Sequence, residues 1–288
     1  MNQMMRNDRN DLDLVVVDLD GTLLHDGATF EQRFLTQYAV DAANRLHDAG
    51  IRFAVSTARP VSTAKPLVDR LPVDACVYLN GALIDFDPGS SDYDLLTSGR
   101  IPEDGHLLKV GFSSARACEV CRFLLEEFPG IRLGIVMNDV RYTNFDVTEF
   151  WKTQTWRMTN FRDVPDGVAD KIIIFPQPEQ CHRLRELIPP DFDISISEGV
   201  MWMLMNPLAN KEHSLRLLAE RMDVPLNHTA AFGDDLIDIA MLKAAGRGVA
   251  VANANPQVLN IADETCPSNN DDGVARWFNA YLNVSLNR

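Results

Sequence analysis

The first residues able to do chemistry are Asp18-Leu19-Asp20-Gly21-Thr22. Two carboxylates spaced i and i+2, directly after an apolar run, point into one crevice, and Gly21 permits a tight backbone turn beside them. One carboxylate can act as a nucleophile and the other as a general acid/base. An acidic pair at a turn is more often a solvated loop, and it is the apolar run before it and the Gly-Thr after it that favour chemistry. A second acidic set, Gly233-Asp234-Asp235-Leu236-Ile237-Asp238, follows the apolar stretch 229–232. Asp234 and Asp238 are spaced i and i+4, so on a helix they face the same point. A hard cation such as Mg²⁺ takes oxygen ligands, and Asp18, Asp234 and Asp238 could hold it. The plainer reading of acidic residues at a helix start is that they oppose its positive dipole end. Lys211 adds a positive charge at the start of another helix, against the usual fate of a lysine on the surface. Thr57 and Arg59 add a hydroxyl and a guanidinium, either of which can contact phosphate oxygens.

These residues need elements to position them. Residues 14–17 (LVVV) read as a strand buried on both faces. A helix is expected over 31–49, stopped by Gly50. A strand at 51–55, a helix at 63–71 kinked by Pro66 and a strand at 75–79 follow. Strand and helix alternate, which means βαβ units and a parallel sheet. The middle changes character, with strands at 131–137 and 171–175 and helices at 114–128 and 178–188. The last third resumes the alternation, with strands at 201–205, 229–232 and 248–252 and helices at 211–222, 235–245 and 273–282. The expected fold is α/β: a doubly wound, mostly parallel sheet built from residues 1–84 and 197–288, interrupted by an inserted α+β domain at 85–196. In such sheets ligands bind outside the carboxyl ends of the strands. Asp18, Thr57, Asn80 and Asp234 each follow an apolar run, so all four are expected on one edge.

Composition bounds the partners. The chain has 288 residues, 41 acidic and 27 basic, for a net charge of −14. At a pI near 4.8, nucleic acid and anionic membrane surfaces are disfavoured partners. No apolar run reaches the length of a membrane span, and the polar stretch at 1–13 lacks the apolar segment of a signal peptide, so cytoplasmic residence is the expectation. Five cysteines suggest no disulfide framework. Cys118 and Cys121 fall on one face of a helix pattern and read as buried thiols. The six histidines show no metal-ligand spacing.

In order along the chain, DLDGT, the Thr57 segment, Lys211 and GDDLID resemble the four motifs of the haloacid dehalogenase superfamily. More narrowly, the chain resembles the Cof-type phosphatases with a type IIB cap. Asn80-Gly81-Ala82, residues 249–254 (VAVANA) and 269–274 (NNDDGV) also fit. The resemblance implies that Asp18 attacks phosphorus and that Asp20 protonates the leaving oxygen and then activates water. It implies Mg²⁺ on Asp18, the backbone carbonyl of Asp20 and Asp234, with Thr57 and Lys211 on the transferring phosphoryl group, while Asp238 is a metal candidate from its spacing alone. Gly21, Thr22, Ala58, Arg59, Asn80 and Gly81 are the expected substrate-binding residues. The sequence departs from the family pattern in three places, one of them Asn210, which precedes Lys211 where serine is common. Ala58 stands where glycine is usual, and Ile237 where asparagine is usual, which removes a polar group from the edge of the site.

The implied activity is Mg²⁺-dependent hydrolysis of a small phosphorylated metabolite, a sugar phosphate above others. The alternatives are a phosphohexomutase and a non-catalytic module on the same fold. A dehalogenase would not need the metal carboxylates. Within the inserted domain, Arg141, Asn144, Trp151, Trp156, Arg157 and Arg162 could recognise a polyol, though tryptophans there are more often core. Monomer and homodimer both remain open.

Overall fold

The structure is a computed structural model that describes residues 12–197 and 200–285. The chain divides into two compact units. The first comprises residues up to Arg59, Thr63–Ser90 and Asn210 onward, and the second Pro60–Ser62 and Ser91–Ala209.

The first unit is a doubly wound α/β sheet. Its strands lie in the order Glu264–Cys266, Arg247–Val251, Thr229–Gly233, Leu14–Val17, Arg52–Ser56, Ala75–Tyr78 and Leu83–Asp85. All neighbours are parallel except the last pair. The central strand Leu14–Val17 is wholly buried, as its unbroken apolar run requires. From it the chain winds outward through Arg52–Ser56 to one side, and it later returns through Thr229–Gly233 on the other. The order therefore reverses at the carboxyl end of Leu14–Val17, where a crevice opens. Phe278, on the C-terminal helix Gly273–Ser285, meets Phe53 and Phe232 edge-on at 6.0 and 5.4 Å and seals the sheet beneath that crevice.

The helix expected over 31–49 begins later, at Gln37, and runs to Asp48. The Thr36 hydroxyl accepts from the Ala39 amide and fixes its start. Residues before it form a single turn, Phe30–Gln32, and then an extended stretch bridged to His25. Apolar periodicity overstated this helix because Phe34 is exposed and belongs to the loop.

The second unit holds a six-stranded sheet in the order Asp193–Ser197, Met201–Met205, Lys171–Phe175, Arg132–Met137, Val140–Thr143 and Trp156–Met158. Its pairs are antiparallel apart from the last. The strand Met201–Met205 was expected to open the returning sheet domain. It instead pairs with Lys171–Phe175, so the inserted unit extends to Ala209 rather than ending at 196 and starts at Ser91 rather than 85. A five-residue apolar run carries no record of which sheet it joins. One face of this sheet packs against the helix Ser114–Glu127, whose Cys118 and Cys121 sit in that apolar core as free thiols. Burial raises the pKa of both.

Candidate active site

Asp18 follows the central strand directly, and Asp234 follows Thr229–Gly233, the strand beside it. The parallel register between the two strands brings both carboxylates to the mouth of the crevice. Gly21, at φ +76°, turns the chain back between them. An alanine Cβ there would lie 2.3 Å from Asp234 Oδ2, so the absence of a side chain is what lets the second carboxylate approach the first loop. The Thr22 hydroxyl, expected to face substrate, donates to Asp234 Oδ1 at 2.7 Å and orients that carboxylate.

Lys211 is the cation of the centre. It is 2% exposed, and its Nζ donates at 2.6 Å to Asp18 Oδ1 and at 2.6 Å to Asp238 Oδ1. Asn210 caps this lysine's helix by accepting from the His213 amide, which fixes where the side chain starts. Burial alone would lower the lysine pKa, but the two carboxylates outweigh it and hold it above its ordinary value. Burial raises Asp18 well above the usual carboxylate range, with Lys211 opposing and Asp238 and Asp234 adding to it. Asp234 is pushed up to about 7, chiefly by burial, with the Thr22 hydrogen bond opposing.

Oxygens of Asp18, Asp234 and Asp238 lie within 4.8 Å of one another. An all-oxygen, anionic donor set with two carboxylates driven above their ordinary pKa by burial and mutual repulsion fits a hard divalent cation. The three are not equivalent, however. Asp238 Oδ2 accepts from the amides of Asp234 and Asp235, and its Oδ1 accepts from Lys211. The carboxylate expected on the metal is thus engaged at both oxygens in closing its own loop and placing the lysine. Ile237 is half-buried and takes no part in these bonds.

Asp20 is held by arginines. Arg59 donates through Nε to Oδ2 at 2.7 Å and through Nη2 to Oδ1 at 2.6 Å, a two-pronged clamp. Arg33 adds a bond to Oδ1 at 3.0 Å. Each carboxylate oxygen has two lone pairs. Oδ1 uses both, whereas Oδ2 accepts a single bond among the described residues. Arg59, expected to reach a phosphate, is 3% exposed and also donates to Phe30 O and Thr63 O, with its guanidinium 4.2 Å from the Phe30 ring centre. Its donors face the general acid/base candidate and the loop rather than an open crevice. Arg33 carried no signal, because it lies in the stretch whose periodicity reads as helix, and Phe30 directly precedes it.

The remaining residues build the rim. Thr57 is buried and its Oγ1 accepts from the Arg59 amide. Ala58 is half-buried between them. The Asn80 amide donates to Thr57 O and the Leu79 amide to Arg59 O, tying two loops together. Asn80 is left-handed at φ +57°, and its buried Oδ1 has no hydrogen-bond partner among the described residues. Gly81 sits at φ +107° against Asn210. Two further residues brace the first loop: Asn253 Nδ2 donates to Gly21 O, and Asn269 donates to Asn253 Oδ1 and Leu24 O. The sequence marked both segments without giving either asparagine a task.

The fold and site together define a doubly wound α/β hydrolase with a carboxylate-lysine centre at its topological switch point. Residues 15–278 match the family model of the haloacid dehalogenase-like hydrolases, and the chain belongs to that family. Within it, the chain is a Cof-type phosphatase with an inserted α+β cap, a phosphoric monoester hydrolase. It is 26% identical over 283 residues to a 5-amino-6-(5-phospho-D-ribitylamino)uracil phosphatase of Bacillus subtilis, covering 94% of this chain and 98% of that one. It is 26% identical over 269 residues to a phosphoglycolate phosphatase of Methanothermobacter thermautotrophicus, covering 93% and 98%. A solved haloalkanoate-superfamily phosphatase from Bacteroides thetaiotaomicron shares the fold, with a TM-score of 0.77 at 21% identity over 98% of this chain and 99% of that one. Among the described residues no helix is long and apolar enough to cross a membrane.

Proposed function

We propose that the chain is a Mg²⁺-dependent phosphatase of small phosphorylated metabolites, with sugar phosphates as the leading class, working through an aspartyl-phosphate. The observation that carries this reading is Asp18, buried, ion-paired to Lys211 and grouped with Asp234 at the crevice. Asp18 and Asp234, with the backbone carbonyl of Asp20, would hold the cation. When bound, it supplies charge neutralisation between the carboxylates and the phosphoryl oxygens.

Asp18 Oδ2, which accepts no hydrogen bond among the described residues, is the attacking oxygen. Lys211 holds Oδ1 and thereby orients the carboxylate, and its third N–H is available to an equatorial phosphoryl oxygen. As the ester bond breaks, Asp20 Oδ2 donates a proton to the leaving oxygen. Asp20 then takes a proton from the water that opens the aspartyl-phosphate. Arg59 keeps Asp20 in place through both half-reactions. A relative named a phosphoglycolate phosphatase and a structural neighbour described as a subclass IIB sugar phosphatase support a small substrate.

The test is phosphate release from a panel of phosphorylated metabolites, with Mg²⁺ and with chelator, beside the Asp18→Asn variant. Mg²⁺-dependent release that disappears in the variant is the expected result. Release that survives in the variant would exclude Asp18 as the nucleophile.

A further inference from the structure

The segment 269–274 leads into the C-terminal helix Gly273–Ser285, and Asp272 stands at its entrance. Its carbonyl accepts from the Arg276 amide at 2.9 Å, in the first turn of that helix, and its backbone is left-handed at φ +54°. One oxygen of its side chain holds two partners. Asp272 Oδ1 accepts from the Thr36 hydroxyl at 2.6 Å and lies 2.9 Å from His25 Nε2. A carboxylate only accepts, so Nε2 is the ring nitrogen that carries the proton.

His25 and Thr36 are the two ends of one loop. The His25 amide donates to Phe34 O at 2.9 Å, and the Phe34 amide donates to His25 O at 3.2 Å. Asn270 Oδ1 accepts from the Asp26 amide at 2.9 Å, and its Nδ2 donates to Asp26 Oδ2 at 2.8 Å. Between its ends the loop is packed shut, because a Cβ on Gly27 would lie 2.5 Å from Gln32 O. A loop of about a dozen residues with its ends pinned together keeps its own shape. Residues 26–29, 31, 32 and 34 are exposed. Apart from buried Leu35, little apolar burial fixes the loop, so its polar ends set its place.

The middle of this loop reaches the proton-transfer carboxylate. Arg33 Nη1 donates to Asp20 Oδ1 at 3.0 Å. Phe30 O accepts from Arg59 Nη2 at 3.2 Å. The Phe30 ring centre lies 4.2 Å from the Arg59 guanidinium and 5.4 Å from that of Arg33. Where the loop sits therefore decides how two arginines meet Asp20.

We propose that Asp272 is a remote positioning residue: by clasping both ends of the 25–36 loop it sets Arg33 and Phe30 against Asp20 and Arg59. This rests on the phosphatase reading, in which Asp20 gives a proton to the leaving oxygen as the ester bond breaks. Asp272→Gly deletes the clasp and keeps the left-handed turn without steric cost, so the helix start survives. Asp272→Asn keeps an acceptor and also tolerates the turn. The probes are phenyl phosphate and 2,4-dinitrophenyl phosphate. Phenolate leaves poorly without a proton, whereas dinitrophenolate leaves as a stable anion, so only the first ester needs a well-placed acid. In Asp272→Gly, kcat/KM should fall roughly 10-fold or more for phenyl phosphate and stay about the same for the dinitrophenyl ester. Asp272→Asn should keep both. Equal loss on the two esters would mean a merely structural role and overturn the proposal, as would loss on neither.

A second readout uses no turnover. Hydrogen exchange at the His25 and Phe34 amides should quicken roughly 10-fold or more in Asp272→Gly, with the strand Leu14–Val17 unchanged. Unchanged exchange at both amides overturns the clasp. Faster exchange with an unaltered ratio between the esters would show a clasp that does not reach Asp20 and overturn the positioning role. If the wild type hydrolyses neither ester, the phosphatase reading fails, and exchange alone decides the clasp.

Discussion

Replacing Lys211 by Met keeps the length and apolar stem of the side chain and removes only the charge. The ammonium sits 2.6 Å from one oxygen each of Asp18 and Asp238. At an effective dielectric of about 20, each contact contributes roughly 6 kcal/mol of attraction. Desolvation of the buried ammonium cancels several kcal/mol of that, and breaking a buried pair on one side costs about 3–5 kcal/mol in practice. Much of the cost is repulsion among the carboxylates left behind, whose oxygens lie within 4.8 Å and repel by about 3.5 kcal/mol per charged pair at the same dielectric. At roughly 2–4 °C per kcal/mol, the melting temperature should fall by about 6–20 °C in chelator at pH 8. Asp234 titrates near 7, so protonation relieves the repulsion and the deficit should shrink at pH 5.5. Mg²⁺ should stabilise the variant more than the wild type, because it replaces the missing positive charge. Thermal unfolding of both proteins under these conditions checks the argument. A deficit below about 2 °C at pH 8, or one that grows as the pH falls, would refute it.

Three further outcomes follow from the same geometry. The folded chain holds a proton on Asp234 that the unfolded chain releases above about pH 3.9, so this group's contribution to stability falls as pH rises from there to about 7. At the proposed cation site Mg²⁺ would have to displace that proton, so its affinity by calorimetric titration should rise with pH up to about 7 and level off above, and a flat profile would disprove the link. Arg59→Lys replaces a fork by a single donor, so kcat should fall roughly 10- to 100-fold with little change in KM. A raised KM with intact kcat would instead assign Arg59 to the phosphate. Gly81→Ala places a Cβ 2.6 Å from Ser214 Oγ and 2.9 Å from the Asn210 amide, at φ +107°. Denaturant unfolding should show a loss of about 1–3 kcal/mol, and an unchanged midpoint would show that the loop relaxes freely.

Asp18, Thr57 and Asp234 immediately follow short apolar strands and Asn80 comes one residue later, so their common edge was legible. A parallel sheet delivers its strands' carboxyl ends to one edge, so local pattern fixes the neighbourhood of those side chains. The α/β class, the inserted unit and the family motifs were legible for the same reason: they are written in segments of a few residues. What only the tertiary structure decided is how the side chains share their bonds. Lys211 meets Asp18 across 193 residues of chain, Thr22 turns to Asp234, and Arg59 closes on Asp20 because a buried guanidinium must satisfy its donors wherever acceptors lie. The strand Met201–Met205 could join either sheet by composition, and pairing with Lys171–Phe175 settled it. Asp272 is the last of four polar residues in a row in the sequence. The fold brings it to both ends of the 25–36 loop, a relation between distant segments that no local spacing encodes.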